Sequence, residues 1–263
     1  MNVAGRTVLL TGATGGLGHA IARRLAAAGA HLVLSGRRGD VLVGLANEIG
    51  GEVAPADLSD PDAVRALARE HVDADILVAN AGVPGSGRLT TYSDDQLERA
   101  LHVNLHSPII LTHALVPRML ERGSGHLVFM SSLSGKTATA GSSLYNATKF
   151  GLRGFAGAMR AELHGTGVGV STIFPGFIRD AGMFADANVT LPKGVGTKTP
   201  EQVAAATLRA IERNRGEVDV APVSLRLGSL LGGVAPETAA RVTRKTGGPA
   251  VAMQFETGQL DKR

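Results

Sequence analysis

Tyr145 and Lys149 lie four residues apart, a spacing that puts both side chains on one face of a helix. A phenol ordinarily ionises near pH ~10, too high for easy proton exchange at neutral pH. A neighbouring ammonium favours the phenolate and lowers that value. Such a pair can give a proton to a carbonyl oxygen or take one from an alcohol. A second chemistry-bearing segment lies far upstream. Thr11-Gly12-Ala13-Thr14-Gly15-Gly16-Leu17-Gly18 directly follows a strand-like run, Thr7 to Leu10. Glycines between a strand and a helix let the backbone turn sharply and approach a pyrophosphate, and the helix N-terminus adds oriented N–H groups.

These residues need a scaffold, and the chain alternates accordingly. Strand-like runs fall at 7–11, 31–35, 52–56, 75–79, 126–131, 168–174 and 218–221. Helical patterns fall between them at 16–28, 40–49, 61–71, 94–122, 144–163 and 200–213. Ser93 with Gln96 and Thr199 with Gln202 read as capping boxes, and Pro61 and Pro200 suit first helical positions. Pro108 should kink or interrupt the long helix over 94–122. Repeated strand–helix–strand units predict an α/β, doubly wound, Rossmann-type three-layer sandwich with a mainly parallel seven-stranded sheet. Residues 1–222 read as one domain carrying the site and a substrate lid. Residues 223–263 read as an extension packed on it or partly mobile, apolar over 224–234 and polar over 246–263.

Composition narrows the function. Of 263 residues 44% are hydrophobic but only 3% aromatic, so the core is built of Ala, Val, Leu and Ile. The net charge of +4 is spread in pairs such as Arg23-Arg24 and Arg37-Arg38, which argues against nucleic acid as a partner. There is no cysteine, which removes disulfides and thiolate metal sites and fits a cytoplasmic location. His102 and His106 have a helical metal spacing, but no third ligand accompanies them, and no metal is expected. No signal peptide and no apolar run long enough for a membrane span is evident.

Ser132 stands thirteen residues before Tyr145, and Asn80-Ala81-Gly82, Asn104 and Pro175-Gly176 occur in that order along the chain. With them, the two segments resemble the short-chain dehydrogenase/reductase family in its short, single-domain branch, over about residues 5–222. Gly15 also permits the loop spacing of the longer branch of sugar-nucleotide epimerases and dehydratases. Chain length disfavours that branch, which carries an added domain. The resemblance implies hydride transfer between a nicotinamide cofactor and a carbonyl or alcohol carbon. Tyr145 is then the general acid/base, Lys149 the partner of the phenol and the nicotinamide ribose, and Ser132 the anchor of the substrate oxygen. Asn104 helps a water connect Lys149 to solvent.

The same resemblance assigns cofactor contacts to Gly12, Thr14, Gly15, Gly16, Leu17 and Gly18, to Asp57-Leu58 at the adenine, and to Asn80, Ala81 and Gly82. Pro175, Gly176 and the backbone of Ile178 are assigned to the nicotinamide end, with Tyr145 and Lys149. The acid that favours NAD(H) at the end of the second strand is replaced by Gly36, and Arg37 follows it. A guanidinium there can grip a 2′-phosphate, so NADP(H) is expected over NAD(H), which stays possible. Asp180 stands where the family has threonine, and its role is open. Residues 181–197 should form a lid with an apolar face from Met183, Phe184, Val189 and Leu191. The expected partners are a small ketone or alcohol with an apolar part and a second copy of the chain, as homodimer or homotetramer. The competing reading is a catalytically silent nucleotide-binding scaffold, against which the Asn104, Ser132, Tyr145 and Lys149 set argues.

Overall fold

The computed structural model describes residues 1–187, 189–191, 195–245 and 248–259. Residues 188 and 192–194 of the expected lid, and 246–247 and 260–263 of the polar tail expected over 246–263, lie outside them. The chain begins with β1 (Thr7–Thr11), α1 (Gly16–Ala26), β2 (His31–Gly36), α2 (Gly39–Ile49), β3 (Glu52–Pro55), α3 (Pro61–Glu70) and β4 (Ile76–Ala79). It continues through α4 (Asp94–Leu101), α5 (Ser107–Glu121), β5 (Gly125–Met130), α6 (Ser143–Glu162) and β6 (Val168–Pro175). The short α7 (Met183–Asp186), α8 (Pro200–Glu212) and β7 (Glu217–Val220) complete the alternation. All seven strands are parallel, in the order β3-β2-β1-β4-β5-β6-β7.

Buried parallel strands must be apolar on both faces. On β1, Val8 and Leu10 pack into one cluster with Ile21, Leu25 and Ile211 of α1 and α8. Leu9 points the other way, into a cluster with Leu77, Leu111 and Phe129. Strand order reverses between β1 and β4, and the crevice beyond their C-terminal ends is where ligands bind in such sheets.

The long helical pattern over 94–122 is broken, but by a π turn rather than by a kink at Pro108. His102–His106 form the π segment, and the N–H of Ser107 reaches back to the His102 carbonyl. Pro108 then sits in the first turn of α5, where its missing N–H costs nothing. Both capping boxes are present, Ser93–Gln96 on α4 and Thr199–Gln202 on α8. After β7 the described residues form three more helices, α9 (Val223–Val234), α10 (Pro236–Lys245) and α11 (Gly248–Gly258).

Candidate active site

One cavity of about 1500 Å³ runs along the C-terminal edge of the sheet. The glycine loop lines one end of it. Gly12 has a φ of 65°, and a Cβ there would stand 2.6 Å from Ala81 Cα; one on Gly18 would meet the Gly12 carbonyl at 2.2 Å. These two glycines are needed for the loop to close on itself and on β4. Gly15 differs: around its Cβ position only the Gly12 oxygen comes near, at 3.5 Å, and the space opens into the cavity. The first-turn N–H groups of Gly16, Leu17 and Gly18 take no backbone acceptor among the described residues. Unpaired donors at a helix N-terminus facing a cleft suit a pyrophosphate, so the residues present fit a dinucleotide.

Thr14, Arg37, Asp57, Leu58, Asn80, Ala81 and Gly82 line the same end. Asn80 donates to the carbonyls of Thr11 and Gly12, tying the loop to β4. One oxygen of Asp57 accepts from the N–H and hydroxyl of Ser59. Its carboxyl lies below the ordinary range: burial, the largest influence, pushes it up, but the Ser59 bonds and the charges of Arg37 and Arg99 outweigh it. Arg99 was not anticipated; nothing in its local sequence marks it, because α4 brings it to the cavity only through the fold. The two arginines after Gly36 have separate surroundings. Arg38 donates to the Thr14 carbonyl and holds the loop, whereas no salt bridge engages the exposed Arg37 among the described residues.

Ser132, Tyr145 and Lys149 line the same cavity. Tyr145 opens α6 and Lys149 follows one turn later, buried, its ammonium donating to the Met130 carbonyl at 2.9 Å. Ser132 follows β5, and its hydroxyl is near enough to the Tyr145 phenol to favour the ionised form. Of its neighbours, Ser131 donates its hydroxyl to the Lys149 carbonyl, and Ser134 gives its backbone N–H to Ser132 Oγ. Burial pushes the Tyr145 phenol up to about 12, and it lowers the Lys149 ammonium to about 8. This reverses the expected depression of the phenol. The ammonium is turned to a carbonyl and stands 5.5 Å from the phenol ring centre, so desolvation dominates.

Asn104 does not line the cavity. It is fully buried in the π turn, accepting from the Val83 N–H at 2.8 Å and donating to the Val83 carbonyl at 3.0 Å. It thereby fixes the rim after β4, whose Gly85 packs directly on Tyr145. Asn146, one residue after Tyr145, was missed in the sequence. It bonds the carbonyls of Ser134 and Thr137 and the N–H of Thr139, fastening the Ser132 loop to α6.

Pro175, Gly176 and Ile178 line the same cavity. The isolated bridge between Ile178 and Lys198 uses the Phe177 carbonyl and the Arg179 N–H. The polar backbone atoms of Ile178 itself therefore point away from Lys198. Asp180 is in a left-handed conformation, φ 70°, and pairs with Arg179 at 3.3 Å. Of the lid residues, Met183, Phe184 and Leu191 line the cavity, while Val189 is buried and does not. Met183 reaches to within 3.7 Å of the Cβ position of Gly82, the same distance as Lys149 Nζ.

A glycine-lined helix N-terminus and a Ser–Tyr–Lys cluster in one crevice of a doubly wound sheet define a nucleotide-dependent oxidoreductase of the short-chain type. The sequence profile for short chain dehydrogenase matches residues 6–191, and the chain belongs to that family. It is similar to the ketoacyl reductase HetN of Nostoc sp., 38% identical over 254 residues that cover 91% of this chain and 88% of that one. Dehydrogenase/reductase SDR family member 7B of Bos taurus is 34% identical over 256 residues, covering 87% and 77%. Among solved structures, a short-chain dehydrogenase from Sphingobium yanoikuyae in complex with NADPH superposes with a TM-score of 0.75 at 29% identity, covering 89% of this chain and 95% of that one. The protein is thus a short-chain oxidoreductase acting on CH–OH groups. No helix of the described residues is long and apolar enough to cross a membrane.

Proposed function

We propose that the protein interconverts a carbonyl and an alcohol with NADP(H), using Tyr145 as general acid/base. The observation that carries this reading is that one cavity is lined by both the first turn of α1 and the Ser132–Tyr145–Lys149 cluster. The bound nicotinamide supplies or accepts the hydride. Ser132 and Tyr145 both present hydroxyls to the carbonyl oxygen, holding the substrate and polarising it. The phenol, kept neutral by burial, gives its proton to that oxygen in reduction and takes it back in oxidation. Lys149 orients the nicotinamide ribose and supplies positive charge beside the phenol. Asn104 and Asn146 act as positioning residues for the rim and for the Ser132 loop. Arg37 favours NADP(H), supported by its exposure, its freedom from salt bridges among the described residues, and its place on the cavity wall.

Residues 1–222 are read as the catalytic unit and the rest as an extension over its substrate side. The chain is read as a cytoplasmic homodimer or homotetramer. Its contacts would run through α5 and α6, where Gly154 and Gly157 leave the surface open to close approach. Light scattering that finds only monomer at micromolar concentration would remove the oligomer. The catalytic reading is tested by a panel of ketones with NADPH or NADH: ketone-dependent oxidation, faster with NADPH, is expected, and no turnover of any member would contradict it.

A further inference from the structure

The three helices after β7 are not an appendage. Leu225 of α9 lies beside Leu133 and Gly176, immediately past Ser132. Leu231 of α9, Ala239 and Val242 of α10, and Val251 and Phe255 of α11 line the same cavity as Tyr145. Phe255 stacks on Phe177 at 6.2 Å and 19°, and lies 6.1 Å from Phe184 on the lid. Phe177 and Phe184 also touch, at 5.2 Å. Two polar contacts fix this arrangement: Gln259 donates to the Met183 carbonyl at 3.0 Å, and Gln254 accepts from the Thr190 N–H at 2.7 Å. Gly258 packs on Ala187 so closely that a Cβ would stand 2.5 Å from its carbonyl.

We infer that α9, α10 and α11 enclose an apolar arm of the active-site cavity that takes the alkyl chain of the substrate, with Phe255 setting chain-length preference. The inference rests on the oxidoreductase reading and deepens it by naming the substrate class, a ketone carrying a long alkyl or acyl chain. The occupant follows from the chemistry of the wall. The arm is continuous with the Ser132–Tyr145 centre, so what fills it is attached to the reacting carbonyl. The leucine, valine, alanine and phenylalanine of the wall gain from burying methylenes, while Ser224, Ser229, Thr243 and Arg244 of the same helices supply polar lining beside them.

The test measures kcat/KM for straight-chain 2-alkanones from butanone to dodecan-2-one, together with the fluorescence of 11-(dansylamino)undecanoate. The wild type should gain roughly two- to fourfold per added methylene until the arm is full. Phe255→Ala should lower the dodecan-2-one to butanone ratio by about tenfold or more, the scale of several lost methylene contacts. Val251→Trp, which narrows the arm, should end the rise at a shorter chain, and circular dichroism checks both folds. A ratio that is flat in the wild type, or unchanged in both folded variants, overturns the inference. If no 2-alkanone turns over, the oxidoreductase reading fails, and the dansyl probe decides the arm alone. Saturable binding weakened in both variants supports it, and no binding overturns it.

Discussion

At the scale of single residues, the two arginines after β2 separate cleanly. Arg38 is spent on the Thr14 carbonyl, so Arg38→Ala should loosen the loop and weaken both cofactors alike. Arg37→Ala should weaken NADP(H) selectively, by roughly 10- to 100-fold, the scale of one charged hydrogen bond. Titrating both cofactors against both variants checks this; equal losses for Arg37→Ala would make it a surface charge only. Gly36→Asp is a poorer probe, since a Cβ there would stand 3.0 Å from Thr14 Cγ2 and disturb the loop. The pKa values also bear on catalysis. With the phenol near 12 by burial, the proton-donating form of Tyr145 is present throughout neutral pH, and the base form grows only as pH rises. Alcohol oxidation should therefore accelerate with pH. Ketone reduction should be flat and then fall above about 8, where buried Lys149 loses its charge. A pH profile of kcat/KM in both directions checks the signs; reduction that climbs steadily with pH would contradict them. Ser132 was reached through the family resemblance, whereas the shared helix face of Tyr145 and Lys149 was legible from their spacing. The direction of the phenol shift was not, because burial and the turn of Lys149 towards Met130 are products of the fold.

At the scale of elements, the strands were legible because buried parallel strands are continuous apolar runs, and the capping boxes because their chemistry is local. The π turn was not: it uses the same residues as an α-helix, and only the backbone bond from Ser107 to His102 reveals it. Nor were α9 to α11, whose apolar positions extend no strand–helix alternation and find their partners only across the cavity. One element carries a stability cost that neither its strand pattern nor its apolar neighbours announced. His126 of β5 is buried, 2.8 Å from Ser171 Oγ of β6, and burial lowers it from the ordinary 6.5 to about 3. The unfolded chain takes up a proton below pH ~6.5 that the folded chain refuses until about 3. This contribution to stability is complete above 6.5 and is lost as pH falls towards 3. Urea midpoints at about pH 7 and about pH 5 should fall less for His126→Gln than for the wild type. Equal falls would place the acid sensitivity elsewhere.

At the scale of the whole molecule, the sheet's reversal between β1 and β4 opens one crevice, and every other feature is arranged around it. The glycine loop, the Ser132 loop, the start of α6, the lid and the C-terminal helices converge there from segments far apart in sequence. Nothing but the fold brings Gly16 against Ala181 or Gln259 against Met183. The central claim is that this convergence serves one proton transfer by one phenol. Tyr145→Phe keeps the ring, its packing and the cofactor end, and removes only the hydroxyl. Ketone-dependent NADPH oxidation by this variant, measured beside its NADPH affinity, is the direct test. Turnover should fall by roughly 10²- to 10⁴-fold, the usual worth of a general acid, with NADPH affinity within about threefold of the wild type. Turnover close to that of the wild type would show that the proton comes from elsewhere.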